Sequence, residues 1–358
     1  MLKTALDRIV ELVGVEDIIG ILSEKLSWSD LQTLMMYVYE KKIRETSVAE
    51  VCKNYAQSRF SGVAMIDPRD LLEVDHLIYH SLPDIFSPVE LSPVIPVGVN
   101  TLLTDLDPKV VLNTIRNLEV VGDPSLALSL ECAKRRRGSC HLKEGGTDVN
   151  LATSHRSLRM QMFAKDSGLT SHFRSFALVS AGRDTEGFNG FELNAIQAQI
   201  CSWLDFLSQV NSTSYSVGKI SVAISDIRIM EKLVASGLIG KEELQKRAKD
   251  FHFAPFDQYG IDLPGVVETI EGLIVSNHDL ETNINELRFT EEKLVKPLKV
   301  KYPSVHFWFH LERCSGIGYY SGLCYKVSAE TSTGETYSLA GGGACDWTRK
   351  LLQSKREH

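Results

Sequence analysis

This 358-residue sequence predicts an α+β fold, an antiparallel sheet with helices packed on one side. Three observations carry that expectation. Strand-like segments come as adjacent pairs joined by turns, over residues 149–184 and again over 304–343. Stretches with apolar residues at helical spacing separate those pairs. The regular strand–helix alternation of a parallel doubly wound sheet is not seen.

Composition sets the outer bounds. An apolar fraction of 43% and a charged fraction of 24% are those of an ordinary globular protein, and the length permits two average domains or one large one with additions. A net charge of −7 and a pI near 5.8 exclude a protein that coats nucleic acid by charge alone. One local run, Lys134-Arg135-Arg136-Arg137, offers either a phosphate contact or a solvated helix end. The seven cysteines, Cys52, Cys132, Cys140, Cys201, Cys314, Cys324 and Cys345, are scattered and form no Cys-x-x-Cys pair. A zinc centre or a disulfide scaffold would need close or dense pairs, so reduced thiols and a cytoplasmic location are expected. Asp7, Glu11, Glu16 and Asp17 are the wrong charges for a targeting peptide, and no uncharged apolar run is long enough to span a membrane.

Residues 1–58 read as helices. Leu2, Leu6, Ile9, Val10 and Val13 recur at helical spacing, and Ser27-Trp28-Ser29 caps a second periodic stretch. Asp67-Pro68 opens a further helix, after which Pro83, Pro88, Pro93 and Pro96 punctuate extended chain. A helical stretch is expected from Pro108 to Leu118. A short strand, the turn Gly122-Asp123-Pro124-Ser125 and a helix follow. Residues 138–148 read as a polar loop. The alternation around Leu158, Met160 and Met162 predicts a strand that includes Arg159, Gln161 and Phe163, with a return strand from His172. Phe191, Leu193, Ile196, Ile200, Trp203, Leu204 and Leu207 fall on one face of a helix. A strand at 219–226, helices to about Val300 and three closing strands, two of them joined by a Thr333-Gly334-Glu335 turn, complete the chain.

The chemistry-bearing residues concentrate in two places. The first hairpin is expected to present Arg159, Gln161, Arg174 and Phe176 on one surface. Guanidinium groups are planar, permanently charged forks that suit phosphate oxygens, and an aromatic beside them can stack a purine. The competing reading is that two strand arginines pair with nearby acids. Near the end, Gly-Tyr-Tyr-Ser-Gly (318–322) and Gly341-Gly342-Gly343 combine glycines, which let backbone approach a ligand, with tyrosine rings and hydroxyls. Against these stands a glycine-rich hairpin with core tyrosines. His306 and His310 share one side of a strand without an evident third ligand, and Gly237–Lys241 lacks phosphate-loop spacing, so no metal site or P-loop is expected.

These two places carry a resemblance to the catalytic core of class II aminoacyl-tRNA synthetases, closest to the histidyl branch. Arg159-x-Gln161, a loop and Arg174 with Phe176 resemble motif 2 of that class, with Gln161 where an acid is usual. Ser315-Gly316-Ile317-Gly318-Tyr319-Tyr320-Ser321-Gly322 is similar to the histidyl signature Arg-Gly-Leu-Asp-Tyr-Tyr-Thr-Gly, and Gly341–Asp346 to its Gly-Gly-Arg-Tyr-Asp segment. Gly122–Ser125 resembles the Arg-Pro-Glu-x-Thr segment that holds the amino acid's ammonium group. Ser315 stands for the family arginine, with Arg313 two residues earlier as its substitute, and Gly318 replaces the aspartate. The resemblance implies a helical appendage at 1–58, a core at 59–226 and 301–358, and a helical insertion at 227–300. It further implies ATP with Mg held at Arg159, Gln161, Arg174 and Phe176, with Arg159 as the catalytic group. An amino acid or nucleotide-like ligand would sit against Asp123, Ser125, Arg313, Tyr319, Tyr320 and Gly342. Dimerisation follows from the same kinship, and a catalytic partner protein follows if the chain is a regulatory subunit like that of ATP phosphoribosyltransferase. A motif 3 arginine and an anticodon-binding domain are not found in this sequence, so anticodon recognition is not expected of it. The implied function is a regulatory or specialised subunit. The alternatives are an ATP-dependent carboxylate-adenylating ligase and a structural dimer.

Overall fold

Two antiparallel hairpins, each backed by a long helix, organise the protein. The structure, a computed structural model, describes residues 4–104, 107–139, 148–161, 163, 170–184, 190–210, 217–247, 250, 253–331 and 334–358. Most of the expected 138–148 loop, most of the 164–171 turn and Thr333 lie outside the described residues.

Three helices open the chain: α1 (Ala5–Val13), α2 (Trp28–Glu45) and α3 (Val48–Gln57). Each starts at a hydroxyl N-cap, Thr4, Ser27 or Ser47, whose side chain accepts the amide three residues on. None of the three contains a buried residue. Leu12 and Val48 are 86% and 81% exposed, so these apolar faces do not pack on the rest of the chain. Helix α4 (Pro68–His80) starts at Asp67 with proline in its first turn, as the sequence predicts, and its Tyr79 hydroxyl accepts the Ser154 amide at 2.8 Å.

Strands β1 (Ser87–Pro88), β2 (Val94–Pro96) and β3 (Leu118–Val120) follow. The expected helix from Pro108 to Leu118 is not formed; only Pro108–Val110 makes a single tight turn. Pairing of β3 with β2 competes for the same residues. Asn117, at φ 58°, turns the chain into β3 while its carbonyl accepts the Val97 amide. Buried Glu119 then takes the amides of Gly98 and Asn100 at 2.9 and 3.0 Å.

Helix α5 (Pro124–Ser139) lies across the first hairpin, β4 (Val149–Leu158) with β5 (His172–Ala181). Leu128 and Cys132 of α5 pack on Leu151, Ala177 and Ala181, which share one side of that hairpin. β4 ends at Leu158, so Arg159, Gln161 and Phe163 lie beyond the strand that the alternation predicts. Helix α6 (Gly190–Val210) buries Ile196, Ile200, Leu204 and Leu207, matching its predicted face, with Leu193 and Trp203 partly buried beside them. These residues join the main core with β6 (Ile220–Asp226), β8 (His306–His310) and β9 (Leu323–Glu330).

The five-stranded sheet runs β10 (Thr336–Gly343), β9, β6, β8 and β7 (Val266–Val267). The smaller sheet runs β1-β4-β5. The pairs β4/β5, β6/β9 and β9/β10 are antiparallel, in keeping with the predicted antiparallel sheet. The β7/β8 pair is antiparallel too, with β7 falling in the stretch expected to be helical, whereas β6/β8 and β1/β4 are parallel. A parallel pair needs a long crossover. Residues 227–305 supply it between β6 and β8 through α7 (Ile227–Ala235), α8 (His278–Thr290) and shorter helices. Among the described residues β5 pairs only with β4 and β10 only with β9, so each is an edge strand of its sheet. No helix among them is long and apolar enough to cross a membrane.

The chain's last residues fasten to the first hairpin. Glu357 bridges to Arg183 of the chain leaving β5, and His358 exchanges backbone hydrogen bonds with Gly182 at 2.9 and 3.2 Å. The Glu357 carboxylate, with only 2% of its side chain exposed, meets both Arg136 and Arg183. Burial alone would raise its pKa; the two guanidinium groups outweigh burial and hold it below the ordinary carboxylate value. The basic run is therefore structural. Arg136 is buried against Glu357, Lys134 and Arg135 pair with Glu131, and Arg137 donates to the Leu351 carbonyl at 3.1 Å.

Removing the carboxylate leaves Arg136 buried and short of its partner. Glu357→Ala is expected to lower the unfolding free energy by about 3–5 kcal/mol in urea titrations near neutral pH. Because the folded pKa is depressed, this contribution is present above the unfolded carboxylate value near 4.3 and fades as pH falls through the lower folded one. An equal loss at pH 7 and at pH 2 would contradict the pairing.

Candidate functional site

The open edges of β5 and β10 border one cleft with about 360 Å³ of room. Phe176 to Ser180 form one wall, Gly341 to Gly343 the facing one, and Glu192, Gln199 and Trp203 of α6 lie between them. Ile196 lines the cleft too, so residues 192, 196, 199 and 203 make one stripe at helical spacing. Tyr319, Tyr320 and Ser125 close one end.

Two glycines are needed for close approach. Gly316 has φ 103° and a side chain there would strike the Tyr320 ring, its Cβ only 2.5 Å away. A Cβ on Gly342 would lie 2.5 Å from the Tyr325 hydroxyl. Both glycines keep tyrosine rings pressed on the backbone. Tyr319 and Tyr320 meet edge to face with centroids 4.9 Å apart, and Tyr319 meets Trp347 at 4.8 Å. Burial is the main cause that raises both tyrosine pKa values, so the hydroxyls are neutral donors across the physiological range.

The expected site residues divide. Ser125, Phe176, Tyr319, Tyr320 and Gly342 line the cleft. Arg159, Gln161, Arg174, Asp123 and Arg313 are not among its lining residues. The expectation that the first hairpin shows both arginines on one surface fails. Arg159 lies on the α5 side, 5.6 Å from the Phe173 ring centroid, and donates to the Gly122 carbonyl at 2.7 Å. Arg174 points to α4, where it pairs with Asp75 at 3.0 Å. The reason is register. Arg174 stands opposite Arg156 on the side shared with Phe176, whereas Arg159 falls past the last paired residue and bends around Gly122. Asp123 is engaged three ways: it accepts the Ser125 amide at 2.9 Å and the Tyr319 hydroxyl at 2.8 Å, and lies 3.5 Å from Arg159. Arg313 is 7% exposed, donates to the Ser315 carbonyl and lies 5.5 Å from the Tyr320 centroid, so it supports the ring from outside the cleft. For Gln161, a backbone carbonyl bond from the Ser171 hydroxyl is what the structure records.

Glu192, Gln199 and Arg228 line the cleft and were not singled out from the sequence. A signal existed for the first two: polar residues seven apart on a helix face otherwise apolar. Gln199 accepts the Tyr325 hydroxyl at 3.2 Å. Arg228 begins α7 and holds Asp226 through two bonds of 2.8 and 2.9 Å, with Glu286 on its far side. Burial raises the Glu192 carboxyl to about 7 despite the attraction of Arg228. His310, by contrast, is lowered to about 4 by burial and then by Arg313 and Lys326, and so is neutral. His306 meets Glu268 at 2.9 Å, and no group of three or more metal-binding side chains occurs among the described residues.

No family model and no curated protein matches the chain. Solved structures do. An ATP phosphoribosyltransferase regulatory subunit/histidyl-tRNA synthetase from Bacillus halodurans superposes with a TM-score of 0.55 at 14% identity, covering 84% of this chain and 78% of that one. Histidyl-tRNA synthetase from Nostoc superposes with the same score and identity over 84% of this chain and 69% of that one. An ATP phosphoribosyl transferase complex from Thermotoga maritima gives 0.44 at 13% identity, over 76% and 91% of the two chains. The first two likenesses show a histidyl-synthetase-like class II α+β fold.

Tyr319 is the strut between the two halves of the site. Tyr319→Phe removes its hydrogen bond to a charged acceptor and is expected to cost about 1.5–3 kcal/mol of stability in urea titration. A change within error would contradict a structural role for that bond.

Proposed function

We propose that this chain is a histidyl-tRNA synthetase-like paralogue that binds a small ligand, an amino acid or a nucleotide-like molecule, in the β5–β10 cleft as a regulatory or specialised subunit. One observation carries the reading: the two hairpin guanidinium groups lie outside the cleft and are already engaged, Arg159 with Gly122 and Asp123 and Arg174 with Asp75. Adenylation builds negative charge at the α-phosphate and needs preorganised donors aimed at it. A cleft whose two arginines are already engaged, Arg228 with Asp226 and Glu286 and Arg349 with the Glu357 carbonyl, suits a small ligand better than a triphosphate. The fold likeness to a regulatory subunit/histidyl-tRNA synthetase and to a histidyl-tRNA synthetase supports the paralogue part of the reading.

ATP-dependent adenylation with Mg, through Arg159, Gln161, Arg174 and Phe176, is the alternative, and it requires Arg159 and Arg174 to leave their present partners. In the proposed role the chain is a cytoplasmic homodimer. The exposed apolar faces of α1–α3 are the surface that a second copy or a catalytic partner protein would cover.

A thermal-shift panel of amino acids, each with and without Mg-ATP, tests the proposal alongside pyrophosphate exchange. An amino acid at about 100 times its Kd is expected to add ~2.7 kcal/mol of stability without ATP, and exchange is expected to stay at background. Amino-acid-dependent exchange would overturn the non-catalytic reading. No stabilisation by any amino acid or nucleotide would overturn the ligand-binding one.

A further inference from the structure

One carboxyl on the cleft wall, Glu192, is left without an ion pair among the described residues. Arg228 is shared between Asp226 and Glu286 before any other acid is counted. Asp226 also accepts the Asn283 amide group at 2.9 Å, so it is fully engaged. The third carboxylate of this group, Glu192, lines the cleft beside Arg228 and forms no ion pair within 4 Å among the described residues. Its neighbours are the Leu323 amide and Gly322, where a Cβ would lie 3.3 Å from Oε1.

The other charged groups of the wall have contacts of their own. Asp346 pairs with Lys350 at 3.0 Å, His358 lies 3.8 Å from Asp184, and Arg349 donates to the Glu357 carbonyl at 3.4 Å. The Cys324 and Cys345 thiols are held neutral by burial. Burial is also the largest cause of the raised Glu192 value; Arg228 and the Leu323 amide oppose it, while Asp226 and Asp184 add to it. A largely buried carboxyl with no ion pair of its own thus lies on the wall of a cavity.

We propose that Glu192 is the specificity-determining residue of the cleft, receiving a cationic primary amine of the ligand. This rests on the small-ligand reading given above and narrows it to amine-bearing molecules. Asp123, the acid that the family resemblance assigns to an ammonium group, is taken by Ser125, Tyr319 and Arg159. Phe176, Phe191, Trp203 and Tyr320 along the same walls give the ligand's apolar part a surface. Binding is coupled to a proton: an ammonium pairs with the carboxylate and not with the acid, so the proton leaves Glu192 as the amine arrives.

The test uses the full chain with phenethylamine, histamine and agmatine, against 2-phenylethanol and 3-phenylpropionate. At least one amine is expected to bind by calorimetry, whereas the neutral and acidic compounds do not. Its affinity should rise about fivefold from pH 6 to 7 and less than twofold from 7 to 8, as a carboxyl titrating near 7 dictates. Glu192→Gln, checked for folding by circular dichroism, should weaken the amine at least tenfold and flatten the pH profile, and Glu192→Asp should restore the pH dependence. Equal amine binding by Glu192→Gln, or a flat profile in the parent chain, would overturn the assignment. If nucleotides or carboxylic acids bind and amines do not, Glu192 loses this role while the cleft remains a ligand site. If nothing in either panel binds, both readings fall.

Discussion

The Asp123 carboxylate is the joint on which the site's geometry depends. It sits at the start of α5, next to the open end of the first hairpin, and takes the hydroxyl of Tyr319 from a segment almost two hundred residues away in sequence. Arg159 closes the same joint from the hairpin side. Tyr319 thereby fixes its neighbour Tyr320, whose ring packs over Gly316 and beneath Arg313. The cleft wall follows from that packing. A hydrogen bond between a neutral, buried hydroxyl and a carboxylate is directional and short, so it sets the distance between the two halves of the fold more firmly than apolar contact alone.

This use of charge has a consequence for chemistry. The guanidinium groups that would be most valuable to a phosphate-handling site serve as structural fasteners: Arg159 at the joint, Arg174 on α4, Arg136 and Arg183 around Glu357. The cost of redeploying them differs: Arg136 would leave the buried Glu357 uncompensated, whereas Arg159 and Arg174 form partly exposed pairs with Asp123 and Asp75. What the cleft retains is a carboxyl near neutrality, an amide, tyrosine hydroxyls, aromatic faces and two arginines, Arg228 and Arg349. The first is held by Asp226 and Glu286, and the second bonds the Glu357 carbonyl. That inventory underlies the proposal of a small polar ligand with a positive end.

Much of the architecture was legible in the sequence. The α6 face was written at helical spacing with a residue, Trp203, that reaches the cleft. The caps at Ser27 and Asp67 were readable because local chemistry dictates them, whereas those at Thr4 and Ser47 were passed over. The Gly318–Gly322 segment, expected within a strand, forms turns ahead of β9. The failures have physical causes. Residues 108–118 look helical until β3 finds β2, a pairing between positions about twenty residues apart that no local rule contains. The alternation past Leu158 predicts a longer strand, but the ladder ends there and Arg159 turns to Gly122. One residue of register decides which side of a hairpin an arginine occupies. Glu192 was overlooked because its importance lies in the charged groups around it, Asp226 of β6, Arg228 of α7 and Glu286 of α8, which are distant in sequence.

The most direct test of the cleft as the ligand site is hydrogen–deuterium exchange on the full chain, comparing free protein with protein saturated by the amino acid that stabilises it most. Slowed exchange is expected for amides in residues 176–180 and 341–343 and in the first turns of α6, with the hairpin end around Arg159 and Arg174 unchanged. Protection centred on Arg159 and Arg174, with the β10 glycines unaffected, would contradict the account.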